Sequence, residues 1–130
     1  MEIKTYIHEV KYYETDAMGI THHSNYIRLM EEARVDWMDQ VGYGYDRMEA
    51  EGIVSPVVSI SCSYRKTTTF QDEIEIDVKV AELSPLKLTL AYEMKVGGET
   101  VFTAESVHCF LEGGRPIRIA ERFPFLAEQA

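Results

Sequence analysis

Two periodicities divide the chain. From Asn25 to Val41 the apolar residues Tyr26, Leu29, Met30, Ala33, Trp37 and Val41 recur at helical spacing, with Arg28, Glu32, Asp36 and Asp39 at polar positions between them. This pattern predicts an amphipathic helix closed by Gly42, and a shorter helical segment around Tyr45 to Glu51 that ends at Gly52. Upstream, Ile3 to Tyr13 is rich in β-branched and aromatic residues and places Tyr6, His8, Val10 and Tyr12 on one side, as a strand does. Downstream the period becomes twofold. Val58, Ile60, Cys62 and Tyr64 alternate with polar residues, as do Ile74, Ile76, Val78 and Val80, and then Leu86, Leu88, Leu90, Tyr92, Met94 and Val96. Each set predicts one face of a half-buried strand. Gly97 and Gly98 supply a tight hairpin, and Thr100 to Leu111, apolar on both faces, predicts a central strand broken by Gly113, Gly114 and Pro116. One strand, one long helix and four more strands specify an α+β fold. An antiparallel sheet wraps around the helix and leaves its other face for another subunit.

Composition narrows the function classes. A chain of 130 residues fits one domain spanning 1–130, with a core of useful size and no repeat or linker. The formal net charge of −9 argues against nucleic acid and anionic membrane surfaces, both of which recruit Lys and Arg. An anionic small ligand therefore requires a local basic patch. Cys62 and Cys109 form no C-x-x-C pair and fall in alternating apolar stretches, which predicts reduced, largely buried thiols in a cytoplasmic protein. The first residues lack the apolar core of a signal peptide, and no uncharged apolar run approaches the ~20 residues of a membrane span.

Candidate chemistry is concentrated between Tyr13 and Arg34. Asp16 follows an extended aromatic run, Gly19 permits a turn that a side chain would obstruct, and His23 arrives with Ser24 and Asn25, residues that favour a helix N-terminus. A carboxylate in a glycine turn beside a helix start can be aimed at a carbonyl whose oxygen is held by free backbone N–H groups of the first helical turn. Asp16 is then a general base for water or a nucleophile that forms an anhydride; the residues leave both open. His23 contributes either its ring or its backbone N–H, or else simply enters the helix. Of the two helical glutamates, Glu31 is the secondary catalytic candidate and Glu32 the better fit to a solvated position. His22, His23, Asp16 and His108 do not provide the i, i+4 spacing of paired metal ligands, so no metal is expected. With no Gly-x-Ser-x-Gly elbow, phosphate loop or dinucleotide fingerprint, cofactor-free, carboxylate-driven acyl chemistry is the simplest reading.

The pattern Tyr13, Thr15-Asp16, Gly19, His23, Asn25-Tyr26, Glu31 and Ala33-Arg34 resembles the hotdog-fold acyl-CoA thioesterases of the 4-hydroxybenzoyl-CoA thioesterase type. That group includes small bacterial proteins associated with the Tol-Pal system. The resemblance continues through Gly52-Ile53, Pro56-Val57-Val58, Tyr64, Phe70-Gln71-Asp72, Ala104 and His108. It implies a homodimer with a continuous double-width sheet, often paired again into a homotetramer, and active sites at the dimer interface. It also implies that Asp16 is the catalytic aspartate, that the His23 backbone N–H polarises the thioester carbonyl, that Asn25 and Tyr26 form the helix entry with Gly19 beside the substrate, and that Glu31 is supportive. Glu14, Thr21-His22 and Thr67-Thr68-Thr69 depart from the pattern and bear on substrate shape. An acyl-CoA substrate, or an acyl carrier protein, would present phosphates to Arg65, Lys66 and Lys87. A hotdog-fold hydratase or dehydratase, and a non-catalytic acyl-CoA-binding module, are the alternatives on the same fold.

Overall fold

The computed structural model describes residues 2–130. Helix α1 (Ser24–Gln40) carries the expected stripe, burying Tyr26, Leu29, Met30, Ala33 and Trp37, together with Arg34. It ends where Gly42 takes a φ of +88°. There Tyr43 N–H reaches Met38 O at 3.0 Å and Gly42 N–H reaches Asp39 O at 3.1 Å, which satisfies carbonyls the helix leaves open. Helix α2 (Tyr45–Ala50) follows.

Five antiparallel strands form the main sheet: β1 (Tyr6–Glu9), β3 (Val57–Tyr64), β4 (Glu73–Leu83), β5 (Leu88–Val96) and β6 (Glu99–His108), in the order β1-β4-β5-β6-β3. A second, three-stranded sheet joins β2 (Ile53–Val54), β7 (Leu111–Glu112) and β8 (Arg115–Pro116). Helix α1 lies over β1 and β4. Its stripe meets Ile74, Ile76, Leu88, Leu90, Met94 and Phe102 in one core. The sheet around a long helix is thus the arrangement the periodicities specify.

Several details differ from the sequence pattern. The first strand ends at Glu9, and the chain rolls into a 3-10 turn at Tyr12–Glu14 that leaves Tyr12 77% exposed. The Glu14 carboxylate causes this by accepting Lys11 N–H at 2.7 Å. Leu86 lies in the β4–β5 turn rather than in a strand, whereas β6 is the interior strand its apolar faces predict, paired with β5 on one side and β3 on the other. Strand β6 stops at His108; Phe110 leaves the main sheet to pack on Phe123, 4.9 Å between centroids. Helices α3 (Ile119–Arg122) and α4 (Pro124–Glu128), which the periodicities do not reveal, add Ile119, Phe123 and Leu126 to the core.

The largest departure is β3. All eight residues are exposed, although their alternation predicts a half-buried strand. The strand sits at the sheet edge, where only its last residue, Tyr64, meets α1, so Val58, Ile60 and Cys62 remain open to solvent. Cys62 is consequently exposed rather than buried, and Cys109 is half-buried; both thiols are free.

A buried polar chain crosses the core. Arg34 donates from Nε to Tyr45 Oη at 3.0 Å and from Nη1 to Tyr92 Oη at 3.3 Å. Tyr92 Oη is 2.6 Å from Ser106 Oγ, which is 2.7 Å from His108 Nε2. His108 Nδ1 has no partner among the described residues. Burial, and secondarily the Arg34 charge, push the His108 imidazole down to about 4. A base depressed in the fold remains neutral while its unfolded counterpart, near 6.5, takes up a proton. His108 therefore contributes stability that is complete above about pH 6.5 and is lost as the pH falls toward 4, to a total of about 3 kcal/mol. Urea unfolding at pH 7 and pH 4 is expected to show this slope, and His108→Leu to flatten it; an unchanged slope in the variant would assign the acid sensitivity elsewhere.

Candidate active site

The Asp16 turn is a closed hairpin tip. Thr15 pairs with Thr21 at its base, and Ile20 pairs with Thr69. Asp16 N–H donates to Ile20 O at 2.8 Å, and Gly19 N–H returns to Asp16 O at 2.9 Å. Gly19 holds φ at +79°, a conformation that side chains oppose. Asp16 Oδ1 accepts Met18 N–H at 2.8 Å. The other carboxylate oxygen carries no hydrogen bond among the described residues, so it is available on a half-buried side chain.

The helix start leaves one donor unused. His22 N–H reaches Glu14 O at 2.8 Å, and Asn25 N–H reaches His22 O at 3.0 Å. Ser24 N–H lies 3.2 Å from His22 Nδ1. Only His23 N–H in this run has no acceptor among the described residues. His23 is itself the N-cap, with helical φ −54° and ψ −31°, and no side chain caps the helix. Ser24 and Asn25 do not do so because they are used elsewhere: Ser24 Oγ meets His22 Nδ1 at 2.8 Å, and Asn25 Nδ2 donates to Glu14 O at 2.8 Å. The His22 and His23 rings lie against each other, 4.3 Å between centroids, on the exposed side.

Glu14, which the sequence shows only as a departure from a resembling pattern, organises this loop. Its buried carboxylate lies 2.8 Å from His8 Nε2 while its carbonyl takes His22 N–H and Asn25 Nδ2. His8 Nδ1 in turn is 3.8 Å from Glu32 Oε1, which accepts the Tyr6 hydroxyl at 2.7 Å. Burial and Glu32 push the Tyr6 phenol up to about 12. Glu32 is thus tied to β1 rather than simply solvated. Thr68 braces the other side, accepting Thr21 N–H at 2.8 Å and meeting Tyr26 Oη at 2.9 Å. An acidic residue two before the aspartate and a threonine run after β3 are the only local signals of these roles.

The remaining candidates are scattered. The Asn25 and Tyr26 side chains are buried and internally bonded, so they form the floor of the loop rather than an open binding surface. Glu31 is 72% exposed, 3.9 Å from Arg34 Nη2, with no bond to Asp16 or His23. Lys66 pairs with Glu99. Arg65 follows the Tyr64 end of β3, whereas Lys87 precedes Leu88, which aligns through His108 with Val57 at the other end. At about 3.3 Å per residue those ends are roughly 23 Å apart, so one chain does not gather these cations into a patch. A groove of about 620 Å³ lies on the outer sheet face among Ser61, Ser63, Lys79, Glu93 and Glu105 and includes no part of the Asp16 turn. The turn itself stands open, rimmed by exposed Tyr12, Tyr13, Met18 and Phe70.

A long helix cradled by an antiparallel sheet, with a carboxylate on a glycine turn at the helix start, defines a hotdog-fold protein. The sequence profile of the thioesterase-like superfamily matches residues 10–129, and the chain belongs to that superfamily. It is 34% identical to YneP of Bacillus subtilis, whose name gives it as a candidate acyl-CoA thioesterase, over 89% of this chain and 86% of that protein. The solved structure of a DHNA-CoA thioesterase from Staphylococcus aureus matches with TM-score 0.87 and 30% identity, covering 97% of this chain and 87% of that one. A protein of Thermus thermophilus, titled hypothetical, matches with TM-score 0.92 and 32% identity, covering 98% and 100%. Among the described residues no helix is long and apolar enough to cross a membrane.

Proposed function

We propose that the protein hydrolyses acyl-CoA thioesters to the free acid and coenzyme A, as a thioesterase of the 4-hydroxybenzoyl-CoA type acting in the cytoplasm. The carrying observation is that one short loop carries both a free Asp16 carboxylate oxygen and, among the described residues, the unused N–H of the helix start at His23. The thioester carbonyl oxygen takes the His23 N–H, whose charge stabilisation grows as the tetrahedral oxyanion forms. Asp16 draws a proton from the attacking water or attacks the carbonyl directly. Single-turnover hydrolysis in ¹⁸O-labelled water tests the second route, because label in the Asp16 carboxylate arises only when water opens an anhydride at that carboxyl carbon. A thiolate leaving group needs little acid assistance, which fits a site without a further titratable group bonded to Asp16.

The test is free-thiol release from a panel of aliphatic and aromatic acyl-CoAs. One relative, the DHNA-CoA thioesterase of Staphylococcus aureus, is named for an aromatic acyl group. The rim of Tyr12, Tyr13, Met18 and Phe70 has the character to hold such a ring, so aryl thioesters are expected to rank first. Absence of turnover on every acyl-CoA by folded protein would favour an acyl-carrier-protein substrate or a binding module.

The site is completed by a second copy. Strand β3 presents eight exposed residues and an unpaired edge, and pairing it with its own copy extends the sheet and covers Ile60 and Val58. The active sites then lie at the boundary, with Arg65 available for the coenzyme A phosphates, and dimers can pair again as tetramers. Ile60→Lys is expected to yield a monomer by light scattering, with activity at least tenfold lower; a fully assembled variant would place the interface elsewhere.

A further inference from the structure

The His23 donor stands on an uncapped helix start, and one residue from outside the loop restrains it. Tyr64, the last residue of β3, donates its hydroxyl to His23 O at 3.0 Å across 41 residues of sequence. Its ring is fixed edge-on against Tyr26 at 5.3 Å and Phe102 at 5.1 Å, while those two stack at 4.8 Å. Tyr26 is held in turn through Thr68. The hydroxyl therefore reaches His23 from a rigid aromatic group rather than from a mobile side chain. The same carbonyl receives Tyr26 N–H at 3.3 Å, a long bond, and as the N-cap carbonyl it opens the helix ladder.

We propose that Tyr64 is a positioning residue for the reaction: its hydroxyl anchors the His23 carbonyl, which restrains rotation about the His23 Cα so that the N–H on the other side of that carbon is held where the thioester oxygen arrives. The inference rests on the His23 N–H reading above and deepens it. With no cap bond from the His23 side chain, this external bond adds to the helix's own ladder and to the His22 contact in keeping the donor from fraying toward solvent. Preorganised donors stabilise an oxyanion because they need no reorientation when charge develops, so loosening one affects the chemical step more than substrate binding. The device also places part of the catalytic geometry on the edge strand, away from the loop that carries the carboxylate.

Tyr64→Phe removes the hydroxyl and leaves the ring packing on Tyr26 and Phe102. The expected result is a fall in kcat of about five- to tenfold, the scale of one lost hydrogen bond, with KM and Tm nearly unchanged. In ¹H–¹⁵N spectra the His23 amide should shift while resonances of β4 and β5 stay in place. Wild-type kcat with an unmoved His23 amide would overturn the proposal. A raised KM at constant kcat would also overturn it, by making Tyr64 a substrate contact, and so would spectral changes throughout the sheet. Asp16→Asn run alongside separates the two levels: if Asp16 is essential and Tyr64→Phe is silent, only the positioning role fails, whereas full activity of Asp16→Asn removes the underlying reading.

Discussion

Asp16→Asn is expected to lower kcat by about 10²–10⁴-fold, the usual worth of a positioned acid–base group, which corresponds to roughly 3–5 kcal/mol of transition-state stabilisation. The substitution is close to isosteric. Asparagine Oδ1 can still accept Met18 N–H, at 2.8 Å from Oδ1 in the native turn, and asparagine is at home in such turns. Gly19 and the Thr15–Thr21 pairing that close the hairpin are untouched. Stability and assembly should therefore match wild type, which makes the kinetic loss attributable to the missing carboxylate. Thiol release under saturating acyl-CoA, with circular dichroism and light scattering as controls, measures it. Turnover within threefold of wild type in a folded variant would remove Asp16 from the mechanism.

Phe102→Ala has the largest expected effect on stability, about 3–5 kcal/mol. Phe102 is fully buried on β6, in register with Met94 of β5 on one side and Tyr64 of β3 on the other. Its ring stacks on Tyr26 of α1 and takes Tyr64 edge-on, so its removal opens a cavity where helix, sheet interior and edge strand meet. Urea unfolding at 25 °C reads the loss directly, and for a chain of this size the melting temperature should fall by about 10–20 °C. A loss below about 1 kcal/mol would mean that Tyr26 and Tyr64 close the gap, and that the stack does not set the helix entrance. Activity measured well below the lowered melting point should also fall, since both partners of Phe102 adjoin the His23 peptide.

The legible parts of the fold are those governed by local repeat. Helix α1 is visible because six apolar residues share one stripe, and its end is visible because Gly42 can take a positive φ. Strands β4 and β5 show a clean alternation because one face is buried within the same chain, and Gly97-Gly98 mark the hairpin after β5 through their own backbone freedom. Strand β3 has the same alternation yet is exposed along its length, since a pattern records what a residue prefers to lie against and not whether its own chain supplies it. The central place of β5 and the packing of α3 and α4 likewise depend on distant segments.

The site divides in the same way. Asp16, Gly19 and His23 stand out in sequence because carboxylate, turn and helix entry are chemically local, all within eight residues. Glu14 with His8, Thr68 with Tyr26, and Tyr64 with His23 do not, because each pair is joined by hydrogen bonds whose partners only the folding of the chain brings together. Side-chain character and period determined that this chain would make a sheet around a helix and carry a carboxylate beside the helix start. The tertiary structure decided which N–H remains unused, which hydroxyl steadies it and which strand edge is left open, because those depend on distances between residues that the order of the chain does not contain.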